Sequence, residues 1–91
     1  MTESAPKLNR LQEALGGLNI AEVIPYLSEE QFQVLKIRFR FLTDLKMRNS
    51  LETAAHLLGK TPYEIRRIED EAIDQIFYLS AFNKPDTDSE Q

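Results

Sequence analysis

Two adjacent guanidiniums, Arg66 and Arg67, stand within two turns of a Thr61-Pro62 pair. A Thr-Pro pair suits the opening of a helix, because proline at the first helical position loses no hydrogen bond. An arginine one turn further in can grip a phosphate, or the O6/N7 edge of guanine, through two parallel N–H donors. That is recognition chemistry rather than catalysis. The groups that catalysis would need are scattered or missing. His56 is the single histidine and there is no cysteine, so a disulfide framework is impossible and a multi-ligand zinc site has almost nothing to build from. His56 therefore reads as a surface or edge residue. Glu69, Asp70, Glu71 and Asp74 follow one another along one stretch. They read as a solvated helix face, not as carboxylates converging across a cleft for acid–base work or a magnesium ion. No glycine-rich phosphate loop or nucleophile motif occurs, and neither an enzymatic activity nor a cofactor is expected.

The 91 residues amount to one small domain, of a size that buries only about 60 to 65% of the surface its unfolded chain exposes. The opening "MTESAPKLNRLQ" lacks the basic-then-apolar order of a signal peptide. No apolar run approaches the roughly 20 residues that span a bilayer. A cytoplasmic protein with no membrane partner is the expectation. The net charge of −4 argues against tight nucleic-acid binding, which needs an excess of Lys and Arg. That average hides a pattern: residues 1–31 carry −3, residues 32–49 carry +4, residues 50–68 carry +1 and residues 69–91 carry −6. Such asymmetry suits a surface that meets an oppositely charged partner.

The elements that must position these groups are helical, since apolar spacings of three and four recur and sustained alternation is absent. An all-α bundle of about four to five helices is expected. Leu8, Leu11 and Leu15 mark a first helix that Gly16-Gly17 stops, within an N-terminal extension over residues 1–18. Asn19 caps a short segment bearing Ile20, Val23, Ile24 and Leu27, which Pro25 shortens or bends. Ser28 to Gln31 forms a capping box. The helix it opens carries Phe32, Leu35, Phe39 and Leu42, with Val34, Ile37 and Phe41 widening its apolar coverage. Since "TDLKMRN" has no Gly or Pro, this helix runs on to about Lys46 or breaks near Thr43. Ser50 caps "LETAAHLL", which ends at Gly59. Thr61 with Glu64 makes a second capping box, and the apolar series Ile65, Ile68, Ala72, Ile76, Leu79 continues for over four turns. Residues 19–82 thus form the main domain, and residues 83–91, without an apolar side chain, read as a disordered acidic tail.

Two helices joined at Gly59 by a turn of three or four residues have the geometry of a helix-turn-helix. Ala55 lies where the pair must cross closely, Leu58, Ile65 and Ile68 are its apolar pegs, and Lys60 occupies a position that is usually apolar. With Ile65 and Ile68 facing inward, Thr61, Tyr63, Arg66, Arg67 and Asp70 lie on the outer, N-terminal part of the second helix, where base edges and phosphates are reached in this geometry. Lys60, Lys46 and Arg48 add positive charge nearby.

Residues 20 to about 77 resemble region 4 of bacterial sigma factors of the sigma-70 type. The resemblance rests on "IAEVIPYLSEEQFQVLKIRF", on "SLETAAHLLGKTPYEIRRIEDEAI", and above all on "VLKIRF" and "IRRIE" occurring in that order. It implies a helix-turn-helix that reads the −35 promoter element and grips the flap of the RNA polymerase β subunit. It makes Leu51, Glu52 and Thr61 the backbone-contacting set and Arg66 and Arg67 the base-reading pair. The chain departs from the family at several of these positions. Tyr63 stands where an acidic residue is usual, Pro62 and Glu64 replace arginines, Arg67 replaces a glutamine, and a basic segment downstream becomes "DEAIDQI". Several positive charges are thereby lost, so DNA binding is expected to be weak alone. Nothing in the chain resembles the sigma domains that bind the −10 element or the polymerase clamp.

The apolar surplus implies that something covers it. Ile73, Phe77 and Tyr78 occupy a second face of the last helix, and Phe41, Leu42, Leu45 and Met47 make the preceding connection unusually apolar. The N-terminal helix folds back over the former, or one of the two faces meets RNA polymerase, a sigma-related protein, or a second copy of this chain. A transcription regulator acting with polymerase is the first expectation. The alternative is a protein-interaction module, such as a sigma mimic or an anti-sigma-type regulator, that has lost DNA reading.

Overall fold

The computed structural model describes residues 8–82. These form five α-helices with no strand: α1 (Arg10–Leu15), α2 (Ile20–Val23), α3 (Glu29–Arg38), α4 (Leu51–Leu58) and α5 (Pro62–Phe82), with a 3-10 turn over Ile24–Tyr26. The chain is the expected all-α bundle. The expected acidic tail over residues 83–91 lies outside the described residues, as do the first seven positions of the N-terminal extension.

Each helix start is written locally. Asn9, Ser28 and the Thr61–Glu64 pair supply reciprocal capping boxes, while Asn19 and Ser50 accept single bonds from Ala21 N and Thr53 N. Each such cap is worth about 1 kcal/mol. Pro25 converts the end of α2 into the 3-10 turn, because its ring cannot continue an α-helical hydrogen-bond ladder. Gly59 ends α4 in the left-handed region at φ 67°, a conformation that costs a non-glycine residue about 1–2 kcal/mol.

Two cores lie side by side. Leu11, Leu15, Leu35, Phe39 and Ile76 belong to the larger. Val34, Ala54, Ala55, Ile65 and Ile68 form the smaller, between α3, α4 and the first turns of α5. α3 lies between them, placing Leu35 in one and Val34 in the other, which explains why its apolar residues ring the helix rather than line one stripe. α5 runs through both, packing on α1, α3 and α4. The N-terminal helix does fold back over α5 and buries Ile73, but Phe77 and Tyr78 stay exposed.

α3 ends earlier than its sequence suggests. It stops at Arg38, and Phe39 turns extended and forms an isolated antiparallel bridge with Met47. The reason is where the last carbonyls find donors. The Asn49 side chain donates to Ile37 O at 2.7 Å, and Arg48 N donates to Arg38 O at 2.7 Å, so the orphan acceptors of the final turn are taken by the returning chain. The loop between is also tied to α1, through Asn9 Nδ2 to Leu45 O at 2.8 Å and Gln12 Nε2 to Asp44 O at 3.1 Å. Leu45 sits at φ 63°, which this tight tethering holds in place. Phe41, not Leu42, therefore enters the core. The expected apolar surface of this loop divides accordingly: Phe41 is buried and Leu45 packs against the core, whereas Leu42 and Met47 are exposed.

Candidate nucleic-acid interface

The turn Gly59 to Thr61 joins α4 to α5, and the close crossing is made by Ala54 and Ala55, both buried. Behind it, Ile65 and Ile68 point inward as pegs. The tip of α5, its first two turns, consequently keeps one face in the smaller core and shows an outer face on which Tyr63 is 75% exposed and Arg66 and Arg67 are half-exposed. Thr61 is engaged in the cap: its hydroxyl accepts from Glu64 N at 3.1 Å while its own N–H donates to Glu64 Oε1 at 3.0 Å. That N–H bond, with Lys60 and Arg67 nearby, holds the Glu64 carboxyl below its ordinary range.

Lys60 does not extend freely toward a ligand. Its ammonium pairs with Glu30 of α3 at 2.9 Å, which raises its pKa, and this contact explains a lysine where an apolar residue is usual. Each tip arginine faces a carboxylate one turn on: Arg66 to Asp70 at 3.5 Å and Arg67 to Glu71 at 3.1 Å. Exposed pairs at this spacing are worth only about 0.3–0.5 kcal/mol. A phosphate or guanine can therefore displace them, but the carboxylates stay close and oppose phosphate approach.

The remaining expected contacts separate by burial. Glu52 and Thr61 are exposed beside the tip, but the Leu51 side chain is half-buried and packs against the smaller core. Lys46 and Arg48 form no ion pair with any described residue and are exposed, while Arg40 pairs with Asp44 at 3.1 Å. His56 is exposed.

The acidic stretch is not a solvated face throughout. Glu69 is 1% exposed. It takes a side-on bidentate contact from Arg38, through Nε and through Nη2 at 3.3 Å, together with Arg10 Nη1 at 3.0 Å. Arg38, itself buried, also donates to Asn49 O at 2.7 Å and contacts Met47 Sδ at 3.1 Å. Arg10 reaches on to Asp70. The sequence held a signal for this: Glu69 interrupts the stripe Ile65, Ile68, Ala72, Ile73 and Ile76, and a charge in an apolar stripe needs a partner. The cluster fixes α1, α3 and the loop against the root of the tip. Among the described residues no group of His, Cys, Asp and Glu could hold a metal ion, and no helix is long and apolar enough to cross a membrane. No family model, curated protein or solved structure matches the chain.

Proposed function

We propose that this protein is a transcription regulator built on a sigma region 4-like helix-turn-helix, which acts with RNA polymerase and touches promoter DNA only weakly by itself. The observation that carries this reading is the tip of α5. A capped helix start exposes Tyr63, Arg66 and Arg67 on its outer face while Ala54 and Ala55 are buried behind it, the exposure that a recognition helix needs to enter a major groove. The pairing of both arginines with Asp70 and Glu71 supports weakness, because binding exchanges one set of ion pairs for another. It also favours a second reading, a protein-interaction module that keeps this frame without reading DNA.

Fluorescence anisotropy of the full chain on duplex DNA, at low and moderate salt, separates the two. The transcription reading expects salt-sensitive binding that drops by at least tenfold in Arg66→Ala/Arg67→Ala, since each lost guanidinium contact costs about 1–3 kcal/mol. It also expects tighter binding in Asp70→Asn/Glu71→Gln, which removes the competing carboxylates. Absence of binding at low salt, or indifference to the arginines, leaves the interaction module. Retention of the polymerase β subunit by the immobilised chain tests the polymerase part of the reading.

A further inference from the structure

Away from the tip, Lys36, Arg40, Phe41, Leu42, Thr43 and Arg48 line a groove of about 430 Å³ between the end of α3 and the tethered loop. Two of these residues pack on a neighbouring ring: Phe41 meets Phe32 edge-to-face at 5.4 Å, and the Lys36 ammonium lies 5.1 Å from the Phe32 ring centre. The mouth of the groove pairs charge with apolar surface. Lys36 and Arg48 form no ion pair with any described residue, and Leu42 is 65% exposed. The occupant that fits must therefore bring acidic groups and apolar groups together. A bare phosphate backbone would satisfy the cations but leave Leu42 unmatched.

One exposed face of α5 has that composition. Glu71, Asp74, Tyr78 and Phe82 recur at spacings of three, four and four along one side of the helix. All four are exposed, and the rings of Tyr78 and Phe82 pack edge-to-face at 4.7 Å, so they form one apolar surface rather than two scattered side chains. Asp74 forms no ion pair with any described residue. The charge of the chain divides the same way, +4 over residues 32–49 and −6 over residues 69–91.

We propose that two copies of this chain associate by seating the acidic-aromatic stripe Glu71, Asp74, Tyr78 and Phe82 of one in the basic-apolar groove Lys36, Arg48 and Leu42 of the other. Glu71 is shared with the tip, where it pairs with Arg67 at 3.1 Å, but Asp74, Tyr78 and Phe82 lie beyond it on α5, and the contact stands whether or not the tip reads DNA. The pairing is electrostatically steered, so it weakens with salt. Its two sides are different surfaces, so it forms either reciprocally about a two-fold axis or head-to-tail.

Sedimentation velocity of the full chain over a concentration series tests it. At low salt the parent is expected at a mass of two or more chains, dissociating as salt rises. Lys36→Glu/Arg48→Glu alone, and Glu71→Lys/Asp74→Lys alone, are each expected to weaken association by about tenfold or more, since like charges are then juxtaposed. An equimolar mixture of the two variants is expected to associate again, because the reversed groove of one matches the reversed stripe of the other. Misfolded variants would not give that recovery. A parent that stays monomeric at every concentration overturns the proposal, as does association indifferent to both substitutions or a mixture that fails to recover. A monomeric parent that binds duplex DNA through Lys36 and Arg48 would assign the groove to nucleic acid instead.

Discussion

Arg38 is the side chain on which separate parts of the fold converge. One guanidinium joins Glu69 on α5, the Asn49 carbonyl before α4, and the Met47 sulfur in the loop. Taking two charges out of water is costly, and such a pair holds only while each partner has the other. Arg38→Met keeps most of the volume and removes the charge. Because Arg10 still reaches Glu69, the expected loss is at the lower end of the usual range, about 3 kcal/mol. That remains a large share of the roughly 5–15 kcal/mol that holds a domain together, and urea unfolding would read it. Arg38→Met/Glu69→Met is expected to regain most of it, since well-packed apolar side chains replace a buried pair at little or no loss. Why this cluster was hard to read in the sequence follows from its separations. Glu69 lies 31 residues from Arg38 and 59 from Arg10, and no local spacing rule reaches that far. The tip residues are the opposite case: Thr61, Tyr63, Arg66 and Arg67 are placed by one helix phase, which Ile65 and Ile68 fix.

Helix starts and helix ends behave differently in this chain. The openings of α3, α4 and α5 were legible because cap, capping partner and helix lie within four residues of one another. The end of α3 was not, because the donors that stop it, Arg48 N and the Asn49 amide, belong to a segment that returns only after the loop. At the start of α5 the cap is also a titrating group. Hydrogen bonding from Thr61 N–H lowers the Glu64 pKa from its ordinary 4.5. Its contribution to folding is therefore fully present above pH 4.5 and is lost as pH falls through the lowered folded value. Glu64→Gln retains an acceptor for the Thr61 N–H but does not titrate. Thermal unfolding over a pH series is expected to show the parent above the variant at neutral pH, with the gap closing below pH 4.5. A gap of constant size would mean that Glu64 acts through shape alone.

At the scale of the molecule, α5 is the shared beam. Its first turns belong to the smaller core with α3 and α4, and its middle belongs to the larger core with α1. The overall class, all-α with a short glycine turn near the centre, could be read from apolar spacing. The division into two cores could not, because it depends on α3 showing a different face to each. The buried carboxylate of Glu69 sits at the junction, and it bears on portability. A fragment cut to residues 49–82 would retain α4, the turn, α5 and the caps at Ser50 and Thr61. It would strand Glu69 without either arginine and strip Ile73 and Ile76 of Leu11, Leu15 and Leu35. Such a fragment is expected to show partial helicity by circular dichroism and no cooperative melting, where the full chain is expected to melt in one step. The α4–turn–α5 unit is therefore not expected to be a graftable cassette: moved to another host, it would need both arginines to travel with it.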